Sequence, residues 1–462
     1  MSNERKRETL GSRLGFIFLS AGCAIGLGNV WRFPFITGKY GGAAFVLLYI
    51  LCLLLFAMPI MVMEFAVGRG SQKSIVQSFK ALCPEHRVWS IWGNFAWFGN
   101  YILMMFYTVV TGWMLAYTFG WYSVSGQLAG KTPEEIGAAF GALLADPQAM
   151  IFWLLITVLI GAGVCWSSLK GGVERVTKIM MCGLLIIMIA LAVRSVTLPG
   201  SEKGLEFYLK PDFSKLLASG LWETLYAALG QAFFTLSIGI GSMAIFGSYI
   251  GRDHSLMGEA MLVMGLDTMV AICAGLIIFP ACFAFGVEPG AGPGLIFVTL
   301  PNMFNQLPEG RLWGTLFFLF MSFAALSTVI AVFENILAGF MDRFGWSRHT
   351  AATFTGISVF VLALPCALGF NVWADFQPLG PGTGVLDLED VIVSNNLLPL
   401  GSLVYLLFCV TRWGWGWDKF IAEADAGHGI KFPKILRGYM TYVAPIFILI
   451  ILGVGYWQTF NK

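Results

Sequence analysis

The stretch GCAIGLGNVWRFP, residues 22–34, constrains this chain more than any other, because it sets three glycines, an asparagine and an arginine inside a run otherwise apolar enough to be a membrane helix. Gly22, Gly26 and Gly28 each weaken a helix by about 1 kcal/mol relative to alanine. Asn29 and Arg32 add polar groups at membrane depth. A broken helix is tolerated in a bilayer only where its freed carbonyls and amides are buried in protein or line a cavity. There they become ligands for ions and small solutes.

With 57% apolar residues, 12% charged residues and a mean hydropathy of +0.77 over 462 residues, the chain is not a water-soluble globule. Crossing a bilayer takes about 20 apolar residues. Eleven runs centre on 15–35, 43–66, 95–117, 150–165, 179–196, 221–246, 262–285, 312–340, 351–370, 391–410 and 439–456. They predict an all-α polytopic membrane protein with eleven transmembrane helices. The basic residues fall in alternate loops: Arg5 to Arg7, Arg69 to Arg87, Lys170 to Lys178, Arg252, Arg343 with Arg348, and Lys419 to Arg437. These loops are expected in the cytoplasm. The others carry more acid, as in Glu134, Glu135, Asp375 and Asp387, and eleven spans then put the C-terminus outside. The first run lacks a small-residue cleavage site and is too polar in its middle for a signal peptide, so it is expected to stay attached.

The nine cysteines form no C-x-x-C pair and are read as small buried residues rather than a disulfide or metal framework. A net charge of +2 implies no nucleic-acid surface. No P-loop, zinc spacing or paired nucleophile and base argues for an enzyme.

The second half echoes the first. GQAFFTLSIGIGSMAIFG, residues 230–247, again interrupts a span, with Gly239 and Gly241 beside the hydroxyls of Thr235 and Ser237. Close helix packing through small residues would also explain Gly239 and Gly241. Two broken helices five spans apart instead suggest inverted repeats, 10–197 and 220–412, with helix 437–457 outside them, all in one transmembrane domain, 1–462. Such repeats point to a secondary transporter that binds its cargo near the midplane.

SRLGFIFLSAGCAIGLGNVWRFPF, followed by GGAAF, PIMVMEFAVGRG, QAFFTLSIGIG and the Ser327-Thr328 pair, resembles the neurotransmitter:sodium symporter family, in particular its bacterial amino-acid transporters. The resemblance covers spans one to ten. It implies a five-plus-five inverted repeat with broken helices 1 and 6, in the inner membrane of a bacterium. It also implies two sodium ions, an amino acid as the small-molecule partner, no organic cofactor and no obligatory protein partner.

Sodium is a hard cation and is held by oxygen ligands. By resemblance, the first ion takes Ala24, Asn29, Thr235 and Asp267 with the substrate carboxylate, and the second takes Gly22, Ile25, Ala324, Ser327 and Thr328. Taken alone, Ser327 and Thr328 read as hydroxyls bonded to their own helix. An α-amino acid suits a broken helix, whose amides near Leu27 and Gly28 attract a carboxylate and whose carbonyls accept from an ammonium. The resemblance draws those carbonyls from Ala24, Phe234, Thr235 and Ser237, adds the Tyr107 hydroxyl and Thr328, and lines the side-chain pocket with Cys23, Ile25, Leu103, Phe234, Ile240 and Val332. Gly26 stands where monoamine-carrying members supply a carboxylate. Such an apolar pocket discriminates weakly, so a range of hydrophobic or aromatic amino acids is expected.

The resemblance assigns an outer gate to Arg32, Asp390 and Phe234, and an inner one to Arg7, Ser248, Tyr249 and Asp342. Glu64, an intramembrane acid, is expected beside the first helix's break in a structural role. Two departures stand out. Gly183 in span five has no proline ten residues on, although some bacterial members use such a pair to unwind that helix. Cys23 and Asp267 occupy positions where a bacterial member has asparagines. The alternative to transport is an amino-acid sensor or channel on the same fold.

Overall fold

A computed structural model describes residues 7–119, 126, 128–286 and 294–460. Arg5 and Lys6 lie outside them. The described residues form helices joined by turns and loops, with one bridge between His254 and His428. Among the described residues, nine helices are long and apolar enough to cross a membrane: α2 (Ala43–Ser71), α3 (Arg87–Phe119), α4 (Pro147–Ser167), α5 (Leu169–Val196), α7 (Leu256–Ala284), α8 (Gly310–Phe344), α9 (Arg348–Leu368), α10 (Val385–Val410) and α11 (Leu436–Trp457). A tenth crossing, α1, is the pair Arg13–Ala24 and Gly28–Lys39, bent by 50°. The remaining expected span, α6, is two pieces, Leu221–Thr235 and Ser242–Gly247, each too short to cross alone. The break in α6 falls at the polar, glycine-bearing stretch where the sequence places it, and because its pieces are short the described residues hold nine or ten candidate crossings rather than the eleven expected.

Both breaks have local causes. α1 leaves helical geometry at Ile25 (φ −72°, ψ 94°) and resumes as a wide π-helical turn over Gly28–Arg32. In α6, Ser237, Gly239 and Gly241 have φ of 50°, 96° and 83°. Glycine adopts this left-handed region freely. Ser237 does so at a cost, the kind of local strain that clusters at functional sites.

α3 and α8 form the centre, with 83% of their most apolar windows buried, against 33% for α4 and α5, which therefore face lipid. At 35 residues, α8 is about 50 Å long, well beyond the roughly 30 Å hydrocarbon core. Its far end carries Asp342 to the face that holds the N-terminal segment. All nine cysteines are free, and Cys182 is exposed rather than buried as expected.

Candidate substrate and sodium site

The α1 break faces α3, α6 and α8. The Leu27 amide donates to the Tyr107 hydroxyl at 2.9 Å, so that hydroxyl sits at the N-terminal end of the second half of α1. The Gly26 amide donates to Asn29 Oδ1 at 3.2 Å, closing the turn on itself. Gly26 has no room for a side chain: a β-carbon there would lie 2.2 Å from the Tyr107 hydroxyl and 2.6 Å from Thr328 Oγ1.

Around this break lies a small cavity of about 20 Å³, lined by Cys23, Ala24, Gly26, Gly28, Leu103, Tyr107, Phe234, Ser237, Ile240, Thr328 and Leu398. A volume of about 20 Å³ holds little more than one water molecule, so the groups around the break are packed nearly closed in this conformation. Leu398, from α10, was not expected. Ile25, Leu27, Thr235 and Val332 were expected but do not line it. Leu27 contributes its amide, Ile25 its carbonyl, and Val332 is packed inside α8. A larger open hollow of about 510 Å³ lies among Lys203, Lys210 and Lys215 and contains none of these groups.

Beside the cavity, Asn29, Thr235 and Asp267 are gathered and fully buried. Asn29 Nδ2 donates to Asp267 Oδ1 at 2.8 Å and to its carbonyl at 3.0 Å, and Thr235 Oγ1 donates to the carboxylate at 3.1 Å. Among the described residues every side-chain partner of Asp267 is neutral. A carboxylate buried among neutral donors suits a small cation, because desolvation is expensive without a counter-charge.

A second cluster joins α1 to α8. Ser327 Oγ donates to the Ala324 carbonyl at 2.9 Å and lies 3.5 Å from the Ile25 carbonyl. Thr328 Oγ1 lies 3.2 to 3.4 Å from the carbonyls of Gly22, Cys23 and Ala324. Both hydroxyls therefore bond within their own helix and also reach across to the break. Two hydroxyl protons cannot satisfy four carbonyls, and this oxygen-rich donor set fits a hard cation. The Cys23 carbonyl, which also accepts from Ser237 Oγ at 3.1 Å, was missed in the sequence.

Glu64 stands at the other break. Its carboxylate accepts from the amides of Gly239 at 2.9 Å and Met243 at 3.1 Å, so it caps the second piece of α6 rather than serving α1. α5 runs helically through Gly183, where a β-carbon would meet the Phe323 ring of α8 at 2.9 Å.

On the N-terminal face, the expected inner-gate residues come together. Arg7 pairs with Asp342 at 2.8 Å, donates to Ser248 Oγ at 3.1 Å and lies over the Tyr249 ring, 4.8 Å from its centroid. Sequence reasoning missed what lies behind them. The Tyr249 hydroxyl donates to Glu334 at 2.6 Å, and Arg348 joins Glu334 to Glu8, each at 2.7 Å. A glutamate inside the apolar run of α8 was the available signal. At the opposite end, Arg32 stacks on Phe234, while Asp390 accepts from Ser394 Oγ at 2.5 Å. No ion pair joins Arg32 to Asp390 among the described residues.

Two discontinuous helices meeting at a buried cavity flanked by two clusters of oxygen ligands define a membrane transporter site. The sequence matches the sodium:neurotransmitter symporter family over residues 7–134 and 142–461. The chain belongs to this family; it is a sodium-dependent transporter and not an enzyme. It is 35% identical to the uncharacterized sodium-dependent transporter YhdH of Bacillus subtilis, over 97% of this chain and 98% of YhdH. Identity is 32% to a sodium-dependent transporter of Haemophilus influenzae, with the same coverage. The crystal structure of MhsT in complex with L-phenylalanine superposes with a TM-score of 0.87 at 39% identity, over 96% of this chain and 99% of MhsT.

Proposed function

We propose that the protein is a sodium-coupled symporter for hydrophobic and aromatic L-amino acids, working by alternating access between two five-helix inverted repeats. The observation that carries this reading is the α1 break, where the Leu27 amide and Tyr107 hydroxyl meet beside Gly26 under a largely apolar cavity. The backbone polar groups suit the ammonium and carboxylate common to all α-amino acids. Leu103, Phe234, Ile240 and Leu398 leave only apolar surface for the side chain. The similarity to MhsT with bound L-phenylalanine supports the same class of substrate.

One sodium ion is assigned to Asn29, Thr235, Asp267 and the Ala24 carbonyl, completed by the substrate carboxylate, which ties ion and substrate together. The second is assigned to Ser327, Thr328 and the carbonyls of Gly22, Ile25 and Ala324, where it pins the first half of α1 to α8. Both clusters require α1 and its neighbours to close together, so loading is coupled to closure. The basic loops place the N-terminal face in the cytoplasm. The Arg7, Tyr249 and Asp342 network is then a closed inner gate, and Arg32, Phe234 and Asp390 form the outer one.

The test is uptake of radiolabelled amino acids into proteoliposomes under imposed sodium gradients. Sodium-driven accumulation of L-phenylalanine and L-leucine, but not of aspartate or lysine, is expected. Downhill equilibration indifferent to sodium would identify a channel, and binding without accumulation a sensor.

A further inference from the structure

After a first α-helical segment, Val385–Asp390, α10 continues as a wide π-helical turn, Val391–Leu397, immediately after Asp390. Inside it, Asn396 Nδ2 donates to the Val391 carbonyl, five residues back, at 2.8 Å. That carbonyl belongs to the residue following the gate aspartate. Asn396 Oδ1 in turn accepts a hydrogen bond from the Tyr456 hydroxyl of α11. The preceding residue, Gly455, lets α11 approach α6 so closely that a β-carbon there would lie 2.3 Å from the Tyr226 ring. Tyr226 is itself within electrostatic range of Arg32, Asp390 and Tyr456. At two successive residues, α11 therefore touches the half of α6 that carries Phe234 and the turn that begins at Asp390.

We propose that α11 is a strut of the outer gate, with Gly455 and Tyr456 as positioning residues that set the spacing between the Phe234-bearing half of α6 and the Asp390 turn. The inference rests on reading Arg32, Asp390 and Phe234 as that gate. A π-helical turn bonds each carbonyl to the amide five residues on, and the Asn396 side chain adds a further donor to the Val391 carbonyl, tying the turn together. The Tyr456 hydroxyl holds that amide in place. Without it the amide is free to rotate and the turn relaxes. Asp390 is bonded within the same turn, to Ser394, so relaxation changes how readily its carboxylate leaves Ser394 for Arg32.

The test measures association and dissociation rates of radiolabelled L-phenylalanine in sodium for the purified full-length protein, Tyr456→Phe, Asp390→Asn and the double variant. Tyr456→Phe is expected to change both rate constants in the same direction by at least threefold, with equilibrium affinity shifted by less than twofold, because the hydroxyl touches the gate and not the cavity. In the Asp390→Asn background the same change is expected to have no further effect. Wild-type rates in Tyr456→Phe, or effects that simply multiply in the double variant, overturn the strut. Rates insensitive to Asp390→Asn overturn the gate reading itself. Gly455→Ala, which forces a β-carbon against Tyr226, is held to the same rate criterion and decides alone if Tyr456→Phe does not fold.

Discussion

The Arg32 guanidinium lies over the Phe234 ring, 4.6 Å from its centroid, and so joins the two broken helices directly above the cavity. One of its terminal nitrogens is buried without a hydrogen-bond partner among the described residues. A cation over an aromatic face is worth about 0.5–2 kcal/mol depending on desolvation. An exposed ion pair is worth roughly 0–1 kcal/mol. Arg32 can therefore exchange Phe234 for Asp390 at little cost, which suits a gate that must open and close without trapping either state. The N-terminal face is built differently, with Glu334 and Arg348 buried and paired in depth.

Gly26→Asp is expected to abolish amino-acid binding. Its β-carbon alone would collide with the Tyr107 hydroxyl and Thr328 Oγ1, and the new carboxylate would repel that of the substrate. A loss of at least hundredfold in L-phenylalanine affinity, about 2.8 kcal/mol, should appear in equilibrium binding. Binding at wild-type affinity would place the substrate carboxylate elsewhere.

Replacing Ser327 and Thr328 together by alanine removes both side-chain oxygens assigned to the second sodium ion. The half-saturating sodium concentration for L-phenylalanine binding should rise about tenfold or more, or about 1.4 kcal/mol. A sodium titration that superimposes on wild type would move that ion to other ligands.

Transport is expected to run without chloride. An anion about 5 Å from the Asp267 carboxylate would be repelled by roughly 3 kcal/mol at an effective dielectric near 20. With a sodium ion beside it, as proposed, Asp267 would be the fixed negative charge that a chloride would otherwise provide. Wild-type uptake with gluconate replacing chloride should match uptake in chloride, whereas Asp267→Asn should become chloride-dependent. Chloride dependence of the unaltered protein would refute this role.

Two sodium ions carried with a zwitterion move two net charges, so each 100 mV should contribute about 4.6 kcal/mol to accumulation. Uptake into proteoliposomes clamped at different potassium diffusion potentials measures this directly. Accumulation that ignores voltage excludes the two-ion stoichiometry.

Arg348→Gln should both destabilise the protein and loosen its N-terminal face. It leaves Glu334, fully buried, without its cation, a change that costs about 3–5 kcal/mol. A lower unfolding temperature is expected, together with faster maleimide labelling of a cysteine introduced at Thr9, an exposed position beside the network. Stability at the wild-type level would show that the pair holds nothing together.

The sequence by itself determined whatever depends on local composition. Apolar runs gave the membrane class and most of the crossings, because about 20 such residues have no other stable setting. Both helix breaks were legible, since Gly26, Gly28, Gly239 and Gly241 weaken helices wherever they stand. The resemblance then named residues that the fold does bring together, from Asn29, Thr235 and Asp267 to Arg7 and Asp342. Tertiary structure decided everything that depends on which helix faces which. Glu64 caps α6 and not α1 because α2 packs along the second piece of α6, and nothing in its own run of residues points there. Leu398 reaches the cavity from α10, while Val332, at a promising helical position, turns into the packed interior of α8. Glu8, Glu334 and Arg348 form one chain of charges although Glu8 lies more than three hundred residues from the other two. Long-range pairing of this kind is set by packing geometry, which a one-dimensional pattern of polarity does not encode.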